Sequence, residues 1–243
     1  MGKRNLGRWL SEWLRAIKRD PVQLFRKSRS WRCPLCDYSG WFIDAGARRD
    51  ARCPNCGSRE RERIIGLYWQ RNPWTLDGAK VLHFSPEKAI WPMLKGNPGY
   101  LSSDVEPHKR AMRLLDIRKL DLESESFDYL ICNHVLEHVI EDRSAMDECF
   151  RVLKPGGQGI FSVPIEEENA ETWNPPPDMD PAEVARICGE LHVRLYGRDF
   201  PQLLEQSGFV VEEIEISDKD DEAHRLRWPG VDKVFVAQRP GAA

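Results

Sequence analysis

At 243 residues, 41% hydrophobic and 31% charged, the chain has room for one catalytic-sized domain and a small satellite module. Its apolar runs are much shorter than the roughly 20 residues that cross a bilayer, and its basic N-terminus lacks the apolar stretch of a secretory signal. We therefore expect a cytoplasmic protein with reduced thiols. Its odd number of cysteines, seven, favours metal ligation or burial over a disulfide framework.

The N-terminal leader is strongly basic. Residues 1–32 hold ten Lys and Arg against two acidic residues, a net charge of +8, which leaves −11 for the remainder of a chain whose overall charge is −3. Apolar side chains recur at helical spacing over residues 5–19, so a basic amphipathic helix is predicted within a leader of residues 1–30. Such a helix can dock on its own domain or on a protein partner, and it can also make peripheral contact with an anionic membrane.

Two CxxC pairs follow the leader. Sixteen residues separate the pairs, a spacing typical of a two-knuckle zinc ribbon, which is predicted here over residues 31–58. The predicted metal ligands are Cys33, Cys36, Cys53 and Cys56. Four thiolates complete a tetrahedral shell, so the zinc is expected to be structural rather than catalytic. Basic side chains near the ribbon could contact RNA, which keeps an RNA partner among the alternatives. These residues are Arg32, Arg48, Arg49, Arg52, Arg59, Arg61 and Arg63.

A linker helix is predicted next, within residues 59–77, and a larger domain within residues 78–239. In that domain short β-rich runs alternate with helical stretches, which predicts a doubly wound, mostly parallel α/β sheet. The predicted strands are residues 80–84, 99–103, 129–133, 159–163, 210–216 and 232–237. The predicted helices are residues 141–153, 181–190 and 199–207. An acidic, proline-rich insertion at residues 165–180 is expected to form a lid.

Two aspartates follow apolar segments of this domain. Ligands of open α/β sheets bind beyond the carboxyl ends of the strands. Asp104 ends the second strand, where a carboxylate can accept hydrogen bonds from two ribose hydroxyls. Asp116 comes after the next apolar segment and can accept from an adenine amino group. The order of the two aspartates along the alternating pattern predicts a nucleotide site.

Two motifs of the domain resemble a known family. Val135–His138 reads VLEH directly after a predicted strand, and Lys154–Gly157 reads KPGG after the crossover helix. Together they resemble the type 11 group of S-adenosylmethionine-dependent methyltransferases over about residues 79–238. The runs VLHFSPE (81–87) and HVRLYGRDF (192–200) resemble a bacterial subgroup that bears the same four cysteines. The resemblance implies a Rossmann-like methyltransferase domain with a seven-stranded sheet behind a small N-terminal zinc ribbon.

The resemblance also implies S-adenosylmethionine as the cofactor and gives its candidate ligands. The implied cofactor-binding residues are His83, Phe84, Ser85, Glu87, Asp104, Asp116, Ile117, Asn133 and His134. Within this set, Asp104 would hold the ribose, and Asp116 with Ile117 would hold the adenine. Asn133 with His134 would hold the methionine portion, and Glu87 is expected to contact the cofactor ammonium group. The loop after the first strand departs from the family pattern because it reads HFSPEKA and contains no glycine. A side chain must then lie where bare backbone usually approaches the cofactor.

The candidate catalytic bases are His134 and His138, and His138 has an alternative role as a packed or capping residue. Residues 134–138 also satisfy an HxxEH metallopeptidase pattern, but that motif belongs inside a helix and here it follows a strand. Metal assistance of methyl transfer at this place stays open. The candidate substrate residues are His192, Arg194 and Tyr196, with an ion pair between Arg194 and the acidic insertion as the structural alternative.

The sequence is compatible with three functions. The acidic character of the large domain favours a methyltransferase that acts on a small-molecule, sugar or lipid-linked acceptor. The ribbon and the basic leader suggest an RNA methyltransferase instead. The loop without glycine suggests a non-catalytic scaffold that has lost cofactor binding. No motif of the sequence indicates the acceptor atom or the oligomeric state.

Overall fold

The computed structural model describes residues 31–46, 48–189, 191–217 and 231–241, together with Leu14, Ile17 and Lys18. The predicted leader helix therefore falls almost wholly outside the described residues. The chain divides into two units, with the main boundary between Trp74 and Thr75. Within the described residues, no helix has both the length and the apolar character needed to cross a bilayer.

The first unit contains the two cysteine pairs. Its elements are β1 (Trp31–Arg32), β2 (Ser39–Gly40), β3 (Ile43–Ala45), β4 (Arg48–Arg52) and α1 (Glu60–Arg71). β1 pairs with β2 and β3 pairs with β4, both antiparallel. α1 packs closely on the first cysteine loop, since a Cβ added at Gly66 would come within 2.7 Å of the Leu35 side chain. Residues 60–71 thus form part of the ribbon unit rather than a free linker.

The second unit is built on a seven-stranded sheet. Its strands are β5 (Val81–Phe84), β6 (Tyr100–Asp104), β7 (Arg113–Leu114), β8 (Phe127–Asn133), β9 (Leu153–Ser162), β10 (Val210–Ser217) and β11 (Val231–Gln238). Its helices are α2 (Trp91–Leu94), a 3₁₀ helix (Leu136–His138), α3 (Asp142–Val152), α4 (Pro181–Cys188) and α5 (Phe200–Gln206). The strand order is β10-β11-β9-β8-β5-β6-β7, with β5 to β9 parallel and β11 antiparallel to β9. The predicted mostly parallel, seven-stranded α/β sheet is confirmed.

The order of the strands fixes where a ligand can bind. The chain proceeds from β5 outward through β6 to β7 and then returns to the other side of β5 with β8 and β9. The crevice at such a reversal, beyond the carboxyl ends of the strands, is the binding position of open α/β sheets. All four residues of β5 are buried, as expected for a central strand covered on both faces.

The KPGG run lies in a different setting from the turn that the sequence suggested. β9 begins at Leu153 and runs through this motif to Ser162, so it starts six residues before the predicted strand. Its pairing with β8 is irregular between Phe127 and Tyr129, where Gly156 takes φ 81°. Left-handed backbone is accessible to glycine without a steric penalty. The motif therefore makes a bulge inside the strand rather than a turn before it.

An aromatic stack joins the sheet to the C-terminal segments of the domain. The Phe200 ring is fully buried, and its centroid lies 4.9 Å from those of both Tyr196 and Phe235. Truncation of a buried phenylalanine to alanine usually costs about 3–5 kcal/mol of folding free energy. This packing attaches the segment before α5, which carries the predicted substrate residues, to strand β11.

Candidate active site

A cavity of about 640 Å³ lies at the carboxyl ends of β5, β6 and β8. Its size falls within the roughly 300–1,000 Å³ of small-molecule sites. Six of the nine predicted cofactor residues line it: Phe84, Ser85, Asp104, Asp116, Ile117 and His134. The cavity is also lined by residues that were not predicted from the sequence: Ser103, Val105, Glu106, Leu115, Arg118, Val135, Val139, Ile140 and Leu191. His138, a predicted base, lines the cavity as well.

Asp104 is held in a defined orientation at the end of β6. Its carboxylate accepts a hydrogen bond from the Glu106 amide at 3.2 Å and lies 3.0 Å from Nε2 of His108. Partial burial raises its pKa, but hydrogen bonds from the Glu106 amide, His108 and Ser85 outweigh that effect, so the pKa is lowered. A carboxylate offers about four lone-pair positions. Asp104 is therefore ionised and can still accept hydrogen bonds from a ligand hydroxyl.

Asp116 makes a chelated ion pair at the rim of the cavity. Arg118 contacts both of its carboxylate oxygens, at 2.7 to 3.1 Å, and reaches Glu141 with the other end of the guanidinium. This pairing lowers the pKa of Asp116. The side chains of Asp116 and Arg118 are 44% and 43% exposed, so the pair lies open to solvent. The arginine was not among the predicted site residues.

Two residues that line this cavity take a left-handed backbone conformation. Ser85, directly after β5, has φ 44°, and His134, directly after β8, has φ 52°. Such a conformation costs a non-glycine residue of the order of 1–3 kcal/mol and is found preferentially at ligand sites. Ser85 adopts without glycine a conformation that glycine adopts freely. The loop HFSPEKA therefore leaves the crevice open, although it lacks a glycine.

The other three predicted cofactor residues are not among those that line the cavity. His83 is fully buried, and its Nδ1 lies 2.9 Å from the Tyr100 hydroxyl. Asn133 is buried, and its side-chain oxygen accepts a hydrogen bond from the Ser162 hydroxyl. Glu87 is partly buried. The geometry brings six cofactor candidates together and gives His83 and Asn133 partners within the sheet.

A second cavity, of about 620 Å³, adjoins the first. The two share Ile140 and Leu191 as lining residues. The second is mainly apolar and is lined by the insertion and by α4: Asn174, Pro175, Pro176, Pro177, Met179, Pro181, Val184 and Ala185. His192, Val193 and Arg194 complete it. Two of the three predicted substrate residues, His192 and Arg194, thus face this space, whereas Tyr196 is not among its lining residues.

Glu137, His138 and His192 converge where the two cavities meet. Each offers one ligand-type atom, and these three atoms lie within 4.8 Å of one another. Nδ1 of His134 lies 3.0 Å from Oε1 of Glu137, whose side chain is only 2% exposed. Glu137 was not predicted as a site residue. The HxxEH pattern contains Glu137, and it left metal assistance open at this place without assigning a role to the glutamate.

Arg194 and Tyr196 hold the backbone around this cluster. Arg194 is buried, pairs with Asp142 and donates a hydrogen bond to the Val139 carbonyl at 3.0 Å. The Tyr196 hydroxyl donates to Asp142 at 2.7 Å. Burial, followed by the nearby Asp142 charge, raises the pKa of Tyr196 far above its usual range, so its hydroxyl stays protonated. The partner of Arg194 is therefore Asp142, at the start of α3, and not the acidic insertion.

The four predicted zinc ligands form a closed cluster in the ribbon unit. Their sulfur atoms lie within 4.8 Å of one another, with 3.6 Å between Cys33 and Cys56 and also between Cys36 and Cys53. The two loops repeat one geometry: the Cys33 carbonyl accepts from the Asp37 amide, and the Cys53 carbonyl accepts from the Gly57 amide, both at 2.9 Å. Asp37 and Gly57 both have positive φ. The arrangement is compatible with a small zinc ribbon.

Beside the cluster, the buried Arg63 guanidinium donates to the Ala51 and Ser58 carbonyls at 2.9 Å each. Arg63 is thus an internal support of the ribbon and is not exposed for RNA contact.

Comparison with known sequences finds similarity to methyltransferases within the α/β domain. Residues 99–161 match the family model described as a methyltransferase domain. A probable S-adenosylmethionine-dependent methyltransferase of Mycolicibacterium smegmatis is 32% identical over 99 residues, which is 40% of this chain and 34% of that protein. A ubiquinone biosynthesis O-methyltransferase of Pseudomonas fluorescens is 50% identical over 39 residues, 16% of this chain and 17% of that enzyme. The chain thus spans at most about a third of the length of these relatives.

Solved structures agree with this at the level of the fold. An S-adenosylmethionine-dependent methyltransferase from Mesorhizobium loti has a TM-score of 0.52 and 16% identity, covering 72% of this chain and 97% of that one. The [4+2]-cyclase SpnF has a TM-score of 0.54 and 13% identity, covering 96% of both chains. At these identities only the fold is shared, and a fold does not fix a reaction. Residues 99–161 thus match the methyltransferase-domain family model, and the α/β domain around them shares its fold with an S-adenosylmethionine-dependent methyltransferase.

Proposed function

We propose that this protein transfers a methyl group from S-adenosylmethionine to a small-molecule, sugar or lipid-linked acceptor. The observation that carries the proposal is the pair of adjoining cavities at the carboxyl edge of the sheet, which share Ile140 and Leu191. The first has the polar groups that an adenosyl ligand needs, and the second is large enough for a separate acceptor. Methyl transfer requires two reactants to be held in line and close together.

The residues of the first cavity suit the cofactor. The ionised Asp104 carboxylate is placed to accept from ribose hydroxyls, and Ile117 offers an apolar surface beside Asp116 for the adenine ring. His134 lies at the end of β8, near the methionine portion in the proposed orientation. When bound, S-adenosylmethionine supplies the methyl group on a sulfonium sulfur. The chain has to exclude water, orient the acceptor and take up its proton.

His138 is the better supported of the two candidate bases. Its ring lines the first cavity and lies 4.9 Å, centroid to centroid, from that of His192 in the second. Nδ1 is engaged in both rings, by Glu137 in His134 and by the Leu191 carbonyl in His138, so the proximity to His192 is what favours His138. The insertion at residues 165–180 lines the second cavity with its prolines, which supports its proposed role as a lid over the acceptor.

A small acceptor is favoured over RNA in part because four of the seven arginines around the ribbon are ion-paired or buried. Arg48 pairs with Glu60 at 3.0 Å, and Arg61 pairs with Glu62 at 3.1 Å. Arg32 pairs with Asp37 at 2.6 Å, and Arg63 is buried. Phosphate binding relies on basic side chains that are accessible to the backbone of the nucleic acid. The apolar lining of the second cavity also suits a compact acceptor better than a polyanion.

We further propose that Cys33, Cys36, Cys53 and Cys56 hold one structural zinc ion. Four sulfur atoms in two equivalent loops match the closed coordination of structural sites, which leaves no position for a substrate. Elemental analysis of the purified chain is expected to give one zinc per chain from this cluster.

Ligand-induced stabilisation tests the cofactor assignment. The full chain is melted with increasing S-adenosylmethionine or S-adenosylhomocysteine, and ATP serves as the matched adenosine-containing control. Ligand at 100 times its Kd stabilises the folded state by about 2.7 kcal/mol. We expect the melting temperature to rise with both sulfur compounds and not with ATP. No rise at millimolar concentrations would contradict the proposal and support a non-catalytic scaffold.

A further inference from the structure

A buried carboxylate oxygen at the junction of the two cavities has no hydrogen-bond partner. Glu137 is 1% exposed; its Oε1 lies 3.0 Å from Nδ1 of His134, while its Oε2 is buried and unpaired among the residues that the structure describes. An unpaired buried carboxylate oxygen is costly, because it has given up its water without gaining a partner. Such an atom points to a missing cation or donor.

The imidazole of His138 is oriented so that its other nitrogen faces this carboxylate. Its Nδ1 lies 2.9 Å from the Leu191 carbonyl, which can only accept, so Nδ1 carries a proton. In the neutral ring Nε2 then has a free lone pair, and this atom lies 3.9 Å from Oε1 of Glu137. A lone pair facing a carboxylate is unfavourable unless a proton or a metal cation lies between them. The Nδ1–H bond to a backbone carbonyl is the arrangement that usually fixes a metal-binding histidine.

His192 brings a third ligand from a distant part of the chain. Its ring nitrogen lies within 4.8 Å of the ligand atoms of Glu137 and His138. The Val193 amide, next in the chain, donates to the Glu137 carbonyl at 2.9 Å, which fixes the two segments against each other. Because a bond of about 2.1 Å to zinc or a similar ion places ligand atoms roughly 3–3.5 Å apart, small side-chain movements suffice to close the cluster.

We propose that Glu137, His138 and His192 bind one divalent transition-metal ion, with His134 as the positioning residue that orients the Glu137 carboxylate. Two imidazoles and one carboxylate suit Mn²⁺, Fe²⁺, Co²⁺ or Zn²⁺ and do not suit Ca²⁺ or Mg²⁺, which prefer oxygen. Three protein ligands leave coordination positions open, unlike the four-cysteine cluster. The site differs from the zinc ribbon in its residues, its ligand chemistry and its unit of the fold.

The position of the cluster gives the ion a role that rests on the proposed function. His138 lines the cofactor cavity and His192 lines the acceptor cavity. An acceptor hydroxyl that ligates a divalent ion loses its proton more readily than a free one. When its Nε2 ligates the ion, His138 is a metal ligand and no longer the base. In the transfer, the hydroxyl proton therefore leaves to water, and the oxygen forms a bond to the methyl carbon. The carbon–sulfur bond breaks with its electron pair kept on sulfur. The geometry thus favours an oxygen acceptor.

The site is tested without any cofactor by titration of the full chain with Mn²⁺, followed by the loss of the free-ion paramagnetic resonance signal. The chain carries one equivalent of zinc for the ribbon, and any excess zinc is removed first, because zinc would also occupy the proposed site. Thiolates select softer ions, so Mn²⁺ does not displace zinc from the ribbon. We expect one Mn²⁺ per chain and at least tenfold weaker binding for Glu137→Gln and for His192→Gln. The matched control is His108→Gln, because His108 also faces a carboxylate but lies outside the cluster. Its Mn²⁺ affinity should equal that of the unaltered chain.

Absence of Mn²⁺ binding at millimolar concentration overturns the site, and so does unchanged affinity in both cluster variants. His192→Gln keeps the test decisive should Glu137→Gln fail to fold, because His192 is only partly buried. The two proposals fail separately. A chain that binds S-adenosylmethionine but no Mn²⁺ refutes the metal site alone, and a chain that binds Mn²⁺ but not S-adenosylmethionine refutes the methyltransferase assignment alone.

Discussion

The four-cysteine cluster and the Glu137–His138–His192 cluster gather ligand atoms at similar distances by different means. In the ribbon, each pair of ligands comes from one short loop whose hydrogen bonds close within five residues. In the α/β domain, His192 lies 54 positions from His138 along the chain, and a clamp around Arg194 and Asp142 holds the segments together. The first cluster is closed on itself, whereas the second opens onto two cavities. Local turns thus form a closed structural cluster in the ribbon, whereas packing between distant segments forms an accessible cluster in the α/β domain.

Removal of one thiolate from the closed cluster should have the largest effect. Cys53→Ser is expected to abolish zinc binding and unfold the ribbon unit, because structural zinc contributes on the order of 10 kcal/mol of folding free energy. Elemental analysis and limited proteolysis measure the two losses. Cys188→Ser is the matched control, since that free thiol lies outside the cluster. Retention of one zinc per chain in Cys53→Ser would contradict the closed four-thiolate assignment.

Loss of the Arg194–Asp142 ion pair, which holds the segments around the open cluster together, should have the second-largest effect. Arg194→Met removes the ion-pair partner of the largely buried Asp142 carboxylate, which keeps only the Tyr196 hydroxyl, and leaves the Val139 carbonyl without its donor. Breaking a buried ion pair from one side costs about 3–5 kcal/mol of unfolding free energy. Urea unfolding measures this cost. Arg198→Met, at an exposed position of the same segment, should change little. Equal stability of the two variants would show that Arg194 does not support the site.

The loop after β5 allows a smaller, backbone-level test. At Ser85, with φ 44°, valine should destabilise the chain by about 2 kcal/mol relative to alanine. Glycine should exceed alanine in stability, because it adopts this conformation without strain and neither residue can make the Ser85 hydrogen bond to Asp104. Thermal melting of the Gly, Ala and Val variants measures the order. Equal stability of the valine and alanine variants would contradict a strained, left-handed backbone at position 85.

The smallest effect should come from the ionisation of Asp104. Its pKa is lowered in the folded chain, so its contribution to stability is fully present above the unfolded-state pKa of about 4. That contribution is lost as the pH falls below this value toward the folded pKa. The stability difference between the unaltered chain and Asp104→Asn should therefore be constant from pH 8 to 5 and shrink below about pH 4. A change that begins near pH 6 would implicate a histidine instead.

The sequence contains the elements of both sites but not all of their contacts. The cysteine spacing predicts the ribbon because its ligands are local, and the order of strands predicts the crevice because ligands bind where β-strands end. Asp104 follows directly from this rule. The left-handed backbone conformation of Ser85 could not be predicted, because serine rarely adopts that conformation and the surrounding loop imposes it here.

Contacts between distant segments are the part that the sequence cannot predict. Arg63 resembles its neighbouring arginines in sequence, but it is the one that points inward to the Ala51 and Ser58 carbonyls. His192 meets Glu137 only because the segment before α5 returns to the 3₁₀ helix after β8. Periodicity and spacing carry no information on such a return. The site that results is therefore visible only in the fold.

The central claim, that the carboxyl edge of the sheet binds S-adenosylmethionine through Asp104, is tested most directly by calorimetric titration of the unaltered chain and Asp104→Ala. One site per chain is predicted, with binding weakened by about 1–3 kcal/mol in the variant, the usual cost of removing a buried hydrogen-bonding partner. Identical affinities in the two chains, or no binding heat in either at millimolar cofactor, would contradict the claim.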